Sequence, residues 1–178
     1  MDKGANININ ILFGIISALL AMILFVFKPL NVKEQSFEDV PLFELNAFTI
    51  YEINTFGLDS ILLGTKGIRY VNRYTIENVN FTDNTQKYIA NIKANNGIYK
   101  NDIITLTQDV VYSREDGLDF SSDEAIYNKR TGIVKTNQPY VAYLGDNKIT
   151  GTSLVYNNLK NKMQSKNITA IYQLREKK

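Results

Sequence analysis

The chain is predicted to be an all-β domain standing behind one membrane-spanning helix. Three features lead there: a long uncharged segment near the start, period-two alternation through the remainder, and a motif recurring every 28 to 30 residues. Composition narrows the chemistry first. The 178 residues carry 20 Lys+Arg against 18 Asp+Glu, so bulk charge suggests no nucleic acid or other polyanion as a partner. There is no His, Cys or Trp, which removes imidazole bases, thiol nucleophiles, disulfides and ordinary zinc sites. The 11 Tyr and 9 Phe beside only 3 Pro make a β-favouring mixture.

Residues 1–6 form a short tail. From 7 to 27 every residue is uncharged, and only Asn8, Asn10, Gly14 and Ser17 are not apolar. A helix of this length spans about 31 Å, against a hydrocarbon core of about 30 Å, whereas the apolar region of a cleavable signal is about 7 to 15 residues. Lys28 and Pro29 follow with no small-x-small cleavage site, and no Cys is present to take a lipid, so the segment is expected to be an uncleaved signal anchor. Lys3 and Asp2 before it and Lys28 and Lys33 after it leave the orientation open by charge alone. No second run of membrane length follows, which puts one folded domain on one side of the membrane.

Residues 28–41 are polar and read as a linker, and 42–175 as the domain. Alternation recurs there, as at Tyr88, Ala90, Ile92 and Ala94, with turn chemistry expected at Asn95-Asn96-Gly97, Asp116-Gly117 and Gly145-Asp146-Asn147. No stretch keeps a helical period for three turns, so roughly a dozen short strands are expected.

Laid over itself, the chain shows a repeat. Ile92-Lys-Ala-Asn-Asn-Gly-Ile-Tyr99 returns as Phe120-Ser-Ser-Asp-Glu-Ala-Ile-Tyr127 and as Ile149-Thr-Gly-Thr-Ser-Leu-Val-Tyr156, with a looser copy starting at Leu62. An apolar residue, a small residue two places on, another residue three beyond and a closing Tyr make the common pattern. Each copy is followed by a second apolar strand, so a repeat is two strands, a unit that must stack on its neighbours to bury its face. The lead strand over 43–53 carries no copy.

An uncleaved span, a short linker and these repeats together resemble the LptC family, the membrane-anchored component of the bacterial lipopolysaccharide export bridge. The residues that carry the likeness are Ser122, Ala125, Tyr127, Gly132, Ile133, Val134 and Pro139, then Gly151, Leu154, Tyr156 and the closing Asn167-Ile168. Tyr140 departs from it, standing where Val is usual. The resemblance implies a twisted, partly open β-jelly roll in the periplasm on a single inner-membrane helix. Such a domain receives lipopolysaccharide from an ABC transporter and passes it along a trough to a soluble periplasmic jelly-roll partner. It implies no enzyme and no cofactor, and leaves open whether the domain forms a homodimer when its partners are absent.

Trough residues are expected at the repeat-phased apolar positions Leu62, Phe81, Ile92, Ile104, Leu106, Phe120, Val134, Ile149 and Met163. Each could equally fill an ordinary core, and a one-residue slip in register would turn all of them outward. Gly57 and Gly151 correspond to motif glycines that the resemblance places at the two docking edges. A hairpin turn needing positive φ is the competing account of Gly57, and a bulge or tight packing that of Gly151.

Other signals are weaker. Residues 102–124 hold seven acids and one base, and 160–178 hold six bases and one acid, runs that most often are solvated turn faces. Asp116, Asp119, Asp123 and Glu124 do not follow the EF-hand order. No phosphate loop, dinucleotide fingerprint or serine elbow is present. The rival reading is a membrane-anchored β-sandwich, packed solid, that binds proteins only. A tethered hydrolase would need a polar cluster that the repeat does not supply.

Overall fold

The structure, a computed structural model, describes residues 39–173 together with Ser17, Leu19 and Met22, which are helical. Apart from those three positions, the expected tail, span and linker up to residue 38 lie outside the described residues. Among the described residues no helix is long and apolar enough to cross a membrane.

Among the described residues twelve strands follow one another: β1 (Phe43–Asn54), β2 (Gly57–Arg69), β3 (Tyr74–Asp83), β4 (Ala90–Lys100), β5 (Ile103–Arg114), β6 (Leu118–Asn128), β7 (Ile133–Thr136), β8 (Tyr140–Leu144), β9 (Asn147–Gly151), β10 (Ser153–Asn157), β11 (Lys162–Lys166) and β12 (Thr169–Ile171). All pair antiparallel in one sheet, with β1 to β6 side by side in chain order. At β6 the sheet forks. Residues 126–128 pair with β7, which continues to β10 and β11, while 118–122 pair with β8, which continues to β9 and β12.

The fork extends a crease that crosses every long strand at its middle. Pairing lapses around Ala47 and Thr65, Asn78 and Asn95, and Gln108 and Asp109. Ala47, Asn78, Gln108, Asp109 and Asn167 all take positive φ there, between 48° and 65°. A residue in that conformation bends a strand and resets its alternation, so both halves keep their apolar side chains on one face. The Asn95-Asn96-Gly97 segment is therefore not the turn its composition predicts. It lies inside β4 and crosses the crease, and Gly97 takes no positive φ.

Side chains bridge what the backbone ladder drops. Asn78 Nδ2 donates to Thr65 Oγ1 at 2.9 Å, Asn95 Nδ2 to Asp109 Oδ2 at 2.9 Å, Asn96 Nδ2 to Gln108 Oε1 at 3.0 Å, and Asn167 Nδ2 to Thr152 Oγ1 at 3.0 Å. Short polar side chains suit this place because they tolerate the left-handed region and can replace a missing backbone partner.

The crease divides the sheet into two leaves. Leaf 1 holds the 48–54 half of β1 and the matching halves of β2 to β6, then β8, β9 and β12. Leaf 2 holds the 43–46 half and its counterparts, then β7, β10 and β11. The repeat is now explained. In β4, β6 and the β9–β10 pair, the apolar residue and the small residue lie on leaf 1, and the next two motif positions lie on leaf 2. The interval of three is the step across the crease. β1 keeps the same spacing at Phe43, Leu45, Phe48 and Ile50, although it lacks the motif's residue types.

Buried Val79, Ala94 and Val110 of leaf 1 meet Leu106 of leaf 2 along the crease, with Ile76 and Ala125 packed beside them. Small residues allow this approach. A Cβ on Gly97 would come within 2.8 Å of the Val79 side chain, and one on Gly64 within 2.8 Å of Ile76. Among the described residues no buried side-chain nitrogen or oxygen lacks a hydrogen-bond partner.

Candidate functional site

Directly opposed residues in antiparallel strands share a face, so register resolves the inner surface into rows parallel to the crease. The row nearest it on leaf 1 runs through Phe48, Gly64, Val79, Ala94, Val110, Ser122, Tyr140 and Gly151, and on leaf 2 through Leu45, Gly67, Ile76, Gly97, Leu106, Ala125, Thr136, Leu154 and Ser165. One step out, leaf 1 presents Ile50, Leu62, Phe81, Ile92, Tyr112, Phe120, Ala142, Ile149 and Ala170. Leaf 2 presents Phe43, Arg69, Tyr74, Tyr99, Ile104, Tyr127, Val134, Tyr156 and Met163.

Burial divides cleanly between these rows. No first-row residue is exposed, and no second-row residue is fully buried. A packed sandwich would close over its second row. Here the leaves meet at the crease, where Leu62, Phe81, Ile92 and Ile104 of the second rows pack against the core, and the partly exposed remainder of those rows forms the walls of the candidate trough.

Eight of the nine expected residues lie in second rows: Leu62, Phe81, Ile92, Phe120 and Ile149 on leaf 1, and Ile104, Val134 and Met163 on leaf 2. Leu106 does not. It is 9% exposed in the first row and belongs to the core at the crease. Ile50, Tyr112 and Ala142 join the leaf 1 wall unforeseen, and so do Tyr74, Tyr99, Tyr127 and Tyr156 on leaf 2. The signal for three of those four tyrosines was the closing Tyr of each repeat.

Three of these tyrosines have fixed partners. Tyr99 Oη donates to Asp102 Oδ1 at 3.2 Å, and this bond keeps its phenol above the ordinary tyrosine range. Tyr156 Oη donates to Asn161 Oδ1 at 3.1 Å, and the Tyr74 and Tyr99 rings stand 6.1 Å apart. Across the trough Tyr112 is also pushed up, chiefly by burial and against the pull of Arg114. At the crease, Ser122 Oγ lies 3.1 Å from Thr136 Oγ1 and donates to the Pro139 carbonyl at 3.0 Å. Phe120 stacks on Tyr140 at 5.6 Å, which carries the first row into the second.

Gly57, at φ +136° with nothing within 4 Å of its Cβ position, occupies the exposed β1–β2 turn, where Asn54 Oδ1 accepts from the Phe56 and Gly57 amides. Gly151 is buried between β8 and β12. A Cβ there would meet the Tyr140 ring at 2.6 Å and Ser165 Oγ at 2.7 Å. A separate cavity of about 530 Å³ lies along the crease over β5, β6, β8 and β9, and none of the nine expected residues lines it. No group of His, Cys, Asp and Glu among the described residues could hold a metal ion.

Residues 13–173 match the family model for lipopolysaccharide-assembly, LptC-related proteins. The chain belongs to the LptC family. This LptC-family protein therefore has a role in lipopolysaccharide transport. No curated protein matches it. Among solved structures it is similar to the crystal structure of LptH, the LptA homologous periplasmic component of the conserved lipopolysaccharide transport device from Pseudomonas aeruginosa. Identity is 12% and the TM-score 0.49, over 78% of this chain and 99% of that one.

Proposed function

We propose that the protein is anchored in the inner membrane by residues 7–27, receives lipopolysaccharide from the ABC transporter of the export system, and passes it along the trough to a soluble periplasmic jelly-roll protein. The observation that supports this is the step in burial from first row to second. Acyl chains laid on the second rows would leave water at about 0.8 kcal/mol per CH₂, while the head group stays wet. On this reading the chain acts as a carrier, and the transporter supplies the energy.

Docking falls to the free edges. Among the described residues β1 pairs only with β2, β11 only with β10 and β12 only with β9, so each offers one side for a partner strand. Gly57 belongs to the β1 edge. Gly151 acts on the other by making room for Tyr140 and Ser165, whose hydroxyls lie 2.8 Å apart and tie β8 to β11.

A photo-crosslinking residue at Phe120 or Ile149, in cells making lipopolysaccharide, tests the carrier reading against a control at outward-facing Lys93. Lipid adducts at the first two and none at Lys93 are expected. Protein adducts alone at the inward sites would replace this reading with the docking module that binds proteins only.

A further inference from the structure

The two walls of the trough differ in chemistry. Leaf 1 offers Leu62, Phe81, Ile92, Phe120 and Ile149, and the hydroxyl in that row is the one on half-buried Tyr112. The facing row of leaf 2 carries Tyr74 and Tyr99 side by side, then alternates Ile104, Tyr127, Val134, Tyr156 and Met163, and is the outermost inward row on that leaf, because the strands turn just beyond it. Those turns are basic. They carry Arg73, Lys100, Lys129, Arg130, Lys160 and Lys162 against Asp102, with Asp39 answering Arg73 at 2.8 Å. The Lys129 ammonium lies 5.8 Å from the Tyr99 ring, and the Arg69 guanidinium 5.3 Å from that of Tyr74.

The opposite rim has the other sign. Beyond the second row of leaf 1 stand Glu52, Asp59, Asp83, Glu115, Asp116 and Asp146 against Lys87, Lys148 and Arg114, the last tied to Asp116 at 2.7 Å. The acidic and basic stretches of the sequence are thus dealt in part to opposite ends of the strands.

We infer that the walls divide an anionic glycolipid between them: acyl chains lie on leaf 1, and the phosphorylated sugar head group rests on the tyrosine and lysine rim of leaf 2. This deepens the carrier reading and rests on it. Tyrosine is suited to the boundary, since its ring packs on apolar or sugar C–H surface while its hydroxyl reaches water. Ammonium and guanidinium groups around the rings complement phosphate, whereas the carboxylates of the leaf 1 rim repel it. Orientation follows from both terms together, and head groups would all emerge on one side as the lipid moves.

Two arms test this with the full-length, membrane-anchored chain. A photo-crosslinking residue is placed at Phe81 or at Tyr127 in cells making lipopolysaccharide, and mass spectrometry of the adducted peptide assigns the attachment to an acyl carbon or to the sugar. Acyl attachment at Phe81 and sugar attachment at Tyr127 are expected. The reverse, or acyl attachment at both, overturns the division of the walls and leaves the carrier reading standing; no lipid adduct at either overturns the carrier reading itself. In the second arm, the purified chain with Lys129→Glu and Arg130→Glu should bind phosphorylated glycolipid about tenfold more weakly and the phosphatase-treated form unchanged. Equal binding of the phosphorylated form by variant and wild type overturns the basic rim, as does an equal loss for both forms.

Discussion

At the scale of single residues, the crease depends on a few side chains with no slack. Thr136 is 1% exposed, and its hydroxyl accepts from the Gln138 amide at 3.0 Å while meeting Ser122. Thr136→Val keeps the volume and strands those partners, and urea unfolding of the β-domain should show a loss of about 1–3 kcal/mol. Gly151→Ala drives a methyl into the Tyr140 ring, with an expected cost of about 1–3 kcal/mol by the same measurement. Arg114 holds the Asp116 carboxyl below its ordinary range. A group depressed in the folded state stabilises above its unfolded pKa and loses that contribution as pH falls through the folded value. Arg114→Met should therefore flatten the acid limb of a stability–pH profile, leaving the slope near neutrality unchanged. These positions were half legible in the sequence. Gly151 and Ser122 stood out as the small residues of the repeat, but nothing in the string told which partner they made room for.

Among elements, the crease organises everything else. Period-two alternation showed that strands were present, yet the inward residues of β4 fall at 92, 94, 97 and 99, and the interval of three breaks the alternation. Read as a plain strand, that break looks like a turn, and hence the misplaced turn at Asn95-Asn96-Gly97. Only pairing partners reveal that Ala47, Asn78, Asn95 and Gln108 share one line across the sheet. Asn78 holds φ at 52°. A branched residue is strained there while glycine is not, so Asn78→Val should destabilise by about 1–2 kcal/mol and Asn78→Gly by much less, as read from chemical unfolding. Leu106 was misassigned for the same reason. It has the phase of a wall residue but lies on the core side of the step.

For the folded domain as a whole, the fork at β6 and the crease turn a single sheet into two leaves, and the family match gives the chain its role in lipopolysaccharide transport. The all-β class was visible from composition and repeat, and phase alone placed eight of the nine expected positions on one inward row of their leaf. The difference between the walls was not visible, because it needs both leaves in register. The free edge of β1 leads into an apolar tip, with Ile53 at 72% and Phe56 at 97% exposure. Ile53→Lys with Phe56→Ser should leave stability within about 0.5 kcal/mol. Retention of a purified soluble partner by the membrane-anchored chain should nonetheless fall if this edge docks it.

The central claim is that the second rows are open until lipid fills them. The natural absence of cysteine makes it directly measurable, with single cysteines placed at Ala142 in the second row, Ala94 in the first and Lys93 outside, each labelled with maleimide with and without lipopolysaccharide. The account predicts that Ala142→Cys reacts in the empty chain and is protected by lipid, that Ala94→Cys is unreactive throughout, and that Lys93→Cys reacts in both. An unreactive Ala142→Cys in the lipid-free chain, or one that lipid leaves unprotected, would contradict it.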